Sequence, residues 1–437
     1  MECIPRQPGT GRGERIASAT IAQDRDAPRL AYLSSVFPAT SETFVANEVL
    51  ALRRRGVEVV PFALRRHRAG ELLTSDPGHA ELLRITHYSP YLWCAEVPRA
   101  LWWALRTRPG RLFRCMGLIL RGLWHYPEEF IKTWMLFPKA VRFAREMEEA
   151  RVEHLHAHWA SYPTTAALFI SLLTDIPYSF TCHAHDVYLF EALFPEKLKH
   201  CAFASPAHEH VRQELLRKCA GGDQAKALVL RVGVDVDQFE RVPYHRKHDA
   251  PWQMLAVGRL APMKGHIYLI RALAQLVASG ARVQCKMVGE GPLRGELEAE
   301  IRSHGLEETV LLLGARPNEE VRRSLSEADV FVLPSIVAPD GQTEGIPFAL
   351  MEAMACGLPV VASEVGGIRE LVRHEENGLM VSPGDVDLLA SNLRRLYEDD
   401  DLSIKLGAAA RETVVRSYNA QVELDKKLGL FRKHRRG

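Results

Sequence analysis

The sequence predicts an α/β protein of two doubly wound domains facing each other across a cleft. Three observations carry that prediction. Short apolar runs alternate with helix-patterned segments through both halves, as in parallel sheets covered by crossover helices. A chain of 437 residues is comfortable for two domains and long for one. Its hydrophobic content of 47% and charged content of 25% supply enough apolar material for two cores in a globular chain.

The opening stretch, MECIPRQPGTGRGERIASATIAQDRDAPRL, has no apolar run of the signal-peptide kind, and residues 1–27 are expected to be a disordered leader. Arg29–Ser35 reads as a buried strand, followed by a loop and the helix-patterned SETFVANEVLALRRRG. Ser41 is placed to cap that helix and Gly56 to end it in a left-handed conformation. VEVVPFAL returns as a strand, and Val152–Trp159, Tyr178–Asp186 and Cys201–Pro206 complete the first domain, residues 28–236. The polar residues 237–252 form the linker. Six apolar runs (WQMLAVGRL, VQCKMVGEG, VLLLGARP, DVFVLPS, LPVVAS and GLMVSP) then alternate with helices through the second domain, residues 253–420. Residues 421–437 are expected to be a basic C-terminal tail or helix whose last residues, FRKHRRG, form a solvated end.

One segment breaks the alternation. Between Leu92 and Phe143 lie Trp93, Trp102, Trp103, Trp124 and Trp134, and the arginines 99, 106, 108, 111, 114 and 121, with no acid between Glu96 and Glu128. Two readings are open: a helical face for an anionic membrane, or an inserted helical pair whose aromatics pack on the first domain.

Composition excludes several classes. A net charge of +2 gives no global field for nucleic acid. Eight cysteines are scattered without a C-x-x-C pair, which suits a reducing cytosol. No stretch approaches the roughly 18 uninterrupted apolar residues of a membrane span. No G-x-G-x-x-G follows a first strand, so a dinucleotide-binding dehydrogenase is disfavoured.

The chemistry concentrates in TEGIPFALMEAMACGLPVV, Thr343–Val361. Pro347 suits the first position of a helix and Gly357 its end. That puts Glu344 just outside the helix and Glu352 in its second turn, with the free N–H groups of Gly345, Ile346 and Phe348 pointing back towards Glu344. Such a helix start attracts phosphate, and carboxylates on either side can grip sugar hydroxyls. Taken alone, the two glutamates also fit a loop acid and an ordinary helix residue. VGRLAPMKG adds Arg259 just past a strand and Lys264 at the start of the next helix, two cations at the same sheet edge. Together the four describe a nucleotide-sugar site.

Other constellations are weaker. His156 and His158 alternate along one predicted strand and His183 and His185 along another, so four histidines could bind zinc. Only Asp186 stands at ligand spacing beside them, and no metal is assigned. The D-x-D triplets Asp235–Asp237 and Asp385–Asp387 read as a domain-end segment and a helix cap.

The ordered run VGRLAPMKG, VGEGPLR, LLGARP, DVFVLPS, EGIPFALMEAMACGLPVVAS and GGIRELV resembles the second domain of retaining GT-B glycosyltransferases of family 4. SETFVANEVLALRRRG, HAHW and HAHD extend the resemblance into the first half, and SETF is similar to transferases of bacterial exopolysaccharide assembly, of the colanic-acid type. The resemblance implies two facing Rossmann-like domains with an interdomain cleft. It implies a cytoplasmic transferase of hexosyl type, moving a sugar with retention from a nucleotide diphosphate sugar to a saccharide or lipid-linked acceptor, with no metal or other cofactor. By position, Glu344 would contact the donor sugar, Glu352 the ribose, and Arg259 and Lys264 the diphosphate, beside the amides of Gly345, Ile346 and Phe348. Arg316 would lie near the base and His183 at the reaction centre. Acceptor contacts fall to Ser41, Glu42 and His158, although the SSVFPATSE loop lacks the paired glycines many members carry there. A GT-B epimerase or phosphorylase, or a catalytically silent nucleotide-sugar-binding subunit, are the alternatives.

Overall fold

A computed structural model of the chain describes residues 26–39, 43–67, 77–88, 95–189, 192–219, 223–240 and 249–437. Ser41, Glu42, Trp93 and nearly all of the expected leader lie outside the described residues.

The first sheet holds six parallel strands: β1 (Leu30–Ser34), β2 (Val59–Ala63), β3 (His87–Tyr88), β4 (His154–His158), β5 (Tyr178–Cys182) and β6 (Phe203–Pro206). Their order across the sheet is β3-β2-β1-β4-β5-β6. The second sheet repeats the plan with β7 (Trp252–Val257), β8 (Val283–Val288), β9 (Val310–Gly314), β10 (Val330–Leu333), β11 (Val360–Ser363) and β12 (Leu379–Val381), ordered β12-β11-β10-β7-β8-β9. In each sheet the order reverses beside the first strand, between β1 and β4 and between β7 and β10. Loops leaving the carboxyl ends of such a pair diverge to opposite sides and leave a crevice. Most strand residues are buried, which is why these strands read as apolar runs rather than alternating patterns.

Gly56 ends the helix Thr43–Arg54 region with φ of 80°, as its position required. Three expectations are corrected. β5 stops at Cys182 and a helix runs over Ala184–Leu189, so His183 and His185 do not share a strand face. The reason is local: Asp186 accepts a hydrogen bond from the His183 N–H at 2.7 Å, three residues back, and starts the helix. The segment after residue 94 is not a helical pair but three helices, Glu96–Thr107, Pro109–Leu123 and Pro127–Glu149. Finally, the basic end is not simply solvated. The helix Ala420–Lys433 crosses back to the first sheet, where Phe431 is buried against Tyr32, His154 and Phe203. Lys427 Nζ donates to Glu48 Oε1 at 2.8 Å there, and Tyr32 donates to the same oxygen at 2.6 Å.

Candidate active site

The loops leaving β7 and β10 meet at the reversal point of the second sheet. After β7 the chain makes one 3-10 turn, Pro262–Lys264, before the helix His266–Ala278. Between them Gly265 has φ of 66°, and a Cβ there would sit 1.9 Å from the Pro334 carbonyl oxygen. Only glycine permits both the conformation and the approach. The Ile336 N–H donates to the Met263 carbonyl at 2.9 Å, fastening the two loops together.

That fastening brings Lys264 to Glu344. Lys264 Nζ lies 2.6 Å from Glu344 Oε1, and Ser335 Oγ donates to the same oxygen at 3.1 Å. Glu344 is only 8% exposed, and a carboxylate so buried requires such partners. The glycine pair of GGIREL presses on the loop from the other side. Gly366 has φ of 50° and would carry a Cβ 1.9 Å from the Glu344 carbonyl oxygen, while the Gly367 N–H donates to that carbonyl at 3.3 Å.

The helix after Glu344 spans Phe348–Cys356. Pro347, expected at its first position, instead caps it with extended backbone, ψ 128°. The shift leaves the amides of Gly345 and Ile346 outside the helix and that of Phe348 at its first position. Among the described residues none accepts a hydrogen bond from these three N–H groups, so all remain available to an anion. Arg259 is exposed and has no side-chain partner among the described residues. Glu352 is half-buried and makes no side-chain hydrogen bond among them. Burial raises its pKa above the ordinary carboxylate value, with the charge of Arg322 pulling the other way. Arg316 is exposed beyond edge strand β9, 3.5 Å from Glu320, and makes no contact with the Glu344–Lys264 pair.

The first domain contributes histidines. His158 ends β4 and His183 follows β5, with their Nε2 atoms 3.3 Å apart. Burial above all lowers both pKa values well below the ordinary range, so both rings are neutral near pH 7 and one Nε2–H donates to the other's lone pair. Asp186 fixes this pair from beneath, accepting from the His183 N–H and from the Ala160 N–H, which belongs to the loop after β4. Burial pushes Asp186 up to about 7 against the lowering pull of those amides.

Contacts across the cleft join the two halves. Phe44 lies 5.4 Å, centroid to centroid, from both His158 and His183, and stacks on Phe348 of the second domain at 5.7 Å and 18°. A Cβ on Gly345 would stand 3.9 Å from His208 Nε2, so a first-domain imidazole faces the free-amide loop. Nearby, Glu370 of the second domain accepts from His210 Nδ1 at 2.5 Å and from the N–H groups of Glu209 and His210, at the start of the helix Glu209–Lys218.

His183, His158, Glu344, Lys264, Gly345, Ile346 and Phe348 therefore come together around one cleft. Asp186 was readable from its capping spacing after His183. Phe44, His208 and Glu370 had no local signal, because each acts through a contact more than a hundred residues away. The two other histidines of β4 find partners on β5: His154 Nε2 and His156 Nδ1 both meet Ser179 Oγ, at 2.8 and 2.9 Å, and His156 Nε2 meets Thr181 Oγ1 at 3.0 Å. Among the described residues no three His, Cys, Asp or Glu side chains group to hold a metal ion. Asp385 caps the helix Val386–Glu398 by accepting from the Leu388 N–H at 2.9 Å, as its sequence position suggested.

Residues 237–413 match the family model for glycosyl transferases group 1. The chain is 31% identical over 410 residues to WcaL of Salmonella typhimurium, a putative colanic acid biosynthesis glycosyltransferase, covering 88% of this chain and 95% of the relative. It is 40% identical over 197 residues to AmsK of Erwinia amylovora, an amylovoran biosynthesis glycosyltransferase, a match spanning 45% of this chain and 48% of the relative. Among solved structures, a glycosyltransferase of Rickettsia africae superposes with a TM-score of 0.65 over 93% of this chain and 98% of that one, at 17% identity. HepE of Anabaena, solved with UDP, gives 0.64 over 92% and 98%, at 18% identity. At those identities the structures speak for the fold, which is the two-domain GT-B arrangement.

Proposed function

The chain belongs to the group 1 glycosyltransferases, and on that premise we propose that it transfers a hexosyl unit, with retention, from a nucleotide diphosphate sugar to a saccharide or lipid-linked acceptor in exopolysaccharide synthesis. It would do so in the cytoplasm, at the surface of a membrane. One observation carries the assignment of the donor site: the Lys264–Glu344 pair ties together the loops after β7 and β10, where the second sheet reverses its order, and the three free amides follow Glu344 directly.

In this reading the diphosphate lies against Lys264, Arg259 and the amides of Gly345, Ile346 and Phe348. Cations and oriented N–H groups of this kind stabilise the charge that develops on a departing diphosphate, and they take the place of a metal ion. Glu344 accepts from donor-sugar hydroxyls, Glu352 from the ribose, and Arg316 borders the base. His183, supported by His158 and Asp186, meets the transferred sugar from the first domain, with Ser41, Glu42 and His158 towards the acceptor. The neutral state of the His183 ring suits it to hydrogen-bond a sugar hydroxyl rather than to add a charge. Departure of the diphosphate and attack on the same face of the sugar would give retention without a protein nucleophile.

The test is donor turnover with and without a membrane-derived acceptor, in buffer containing EDTA, with the anomeric configuration of the product read by NMR. Acceptor-dependent transfer with retention, insensitive to chelation, is expected. Turnover without acceptor points instead to an epimerase or phosphorylase, and donor binding without turnover to a silent subunit. A product of inverted configuration overturns the retaining assignment.

A further inference from the structure

The three helices between residues 96 and 149 carry a surface that the transfer reaction does not use. The first two lay one stripe each on the domain: Val97, Ala100 and Ala104 in one, Leu112, Cys115, Ile119 and Leu123 in the other, all buried. Their opposite stripes face away from it. Trp102 is 62% and Trp124 68% exposed, and Phe113 and Leu120 are exposed at helical spacing from Trp124. Such large apolar groups on one outer layer mark an interaction surface.

The arginines divide in an informative way. Arg108 is spent on Glu148 and Arg111 on Asp175, contacts internal to the domain. Arg99, Arg106, Arg114 and Arg121 are exposed and make no ion pair among the described residues. They interleave with the apolar groups: 99, 102 and 106 follow one stripe, and 113, 114, 117, 120, 121 and 124 the other. The acids flanking the segment are already engaged, Glu96 with Arg142 and Glu128 with Lys132. A second copy of the chain packed face to face here would set arginine against arginine with no free acid among the described residues of that face to offset it. No helix among the described residues is long and apolar enough to cross a membrane.

We propose that this face docks on an anionic phospholipid surface, the tryptophans entering the headgroup boundary and the four arginines pairing with lipid phosphates and acidic headgroups. The inference deepens the reading above, resting on it for the reason the enzyme would visit a membrane, namely to reach a lipid-linked acceptor.

The full chain is tested by co-sedimentation with vesicles of phosphatidylcholine alone or of phosphatidylcholine with phosphatidylglycerol, at low and high salt. Binding to the anionic vesicles is expected to exceed binding to the neutral ones about tenfold or more and to be released by salt. The variant R99Q/R106Q/R114Q/R121Q should lose about a hundredfold in partitioning, and W102S/W124S about tenfold. All six positions are exposed, and unchanged circular dichroism would show that both variants fold. Equal binding to both vesicle types, or variants that bind like the wild type, overturns the proposal. So does a solution dimer that W102S/W124S disrupts, which would give the face to a second copy. Glu344→Gln should bind vesicles like the wild type, so failure of the transfer assignment and failure of the docking face remain distinguishable.

Discussion

Lys264 Nζ and Glu344 Oε1 lie 2.6 Å apart and tie the loop after β7 to the loop after β10. Their side chains are 16% and 7% exposed, so each is the other's main electrostatic partner in a poorly solvated crevice. Glu344→Ala leaves Lys264 without that partner and removes a proposed acceptor for donor hydroxyls. Transfer is expected to fall by about a hundredfold or more, with a lower melting temperature but a native far-UV spectrum. Near-normal turnover by the folded variant would sink the site assignment.

Glu352 has no side-chain partner among the described residues, and its burial raises its pKa. Glu352→Ala should weaken donor binding about tenfold, the value of one hydrogen bond to a charged group, while kcat at saturating donor stays close to wild type. The raised pKa also means the carboxylate takes up its proton earlier than usual as pH falls, so wild-type donor affinity should drop on acidification. Calorimetric titration across pH should show that drop and its absence in Glu352→Gln. An identical pH dependence in the two proteins overturns the ribose assignment.

The Phe44–Phe348 stack bridges the domains beside His158 and His183. Such a pair is worth about 1 kcal/mol beyond its buried area. Phe44→Ala should therefore favour an opened cleft and lower acceptor-dependent turnover about fivefold. Donor affinity, assigned by the proposal to the second domain, should stay within about twofold of wild type. Equal losses in both quantities would show that Phe44 serves the donor site instead.

Burial holds His154 and His208 down to about 4 and His156, His158 and His183 well below the ordinary histidine value. In the unfolded chain these rings take up protons near pH 6.5. Between there and about 4 the unfolded state binds more protons than the folded one, so stability is lost as pH falls through that window, by up to about 1.4 kcal/mol per pH unit for each such ring. Melting temperatures measured downward from pH 8 should decline from roughly pH 6.5. His154→Asn should make the decline shallower. A flat profile contradicts the neutral, buried assignment.

The residues proposed to hold the donor could be picked out in the sequence because they lie close together along the chain. Arg259 and Lys264 follow one strand within a single motif, and Glu344 and Glu352 bracket one helix start. Glycines at 265 and 366 mark where backbones must touch, and their positive φ values explain why no other residue stands there. The exception was Pro347, which caps the helix rather than opening it; proline's fixed φ serves both positions and the sequence does not choose between them. The first-domain side of the cleft was less legible. A continuous strand through TCHAHD was a reasonable reading of its apolar pattern, yet the capping bond from the His183 N–H to Asp186 converts its second half to helix.

The sequence by itself determined the strand–helix alternation, the two sheets and the helix start after Glu344, since periodicity and turn chemistry act over a few residues. Only the tertiary structure decided which charges remain free. Lys264 proves to be engaged with Glu344 while Arg259 is not. Arg108 and Arg111 are absorbed within the first domain, while Arg99, Arg106, Arg114 and Arg121 face outward. It likewise decided that Phe44, His208 and Glu370 meet the second-domain loop or the facing domain across the cleft. A residue's type sets what bonds it can make, but whether a partner stands within reach depends on segments hundreds of positions away, and only the folded chain brings those together.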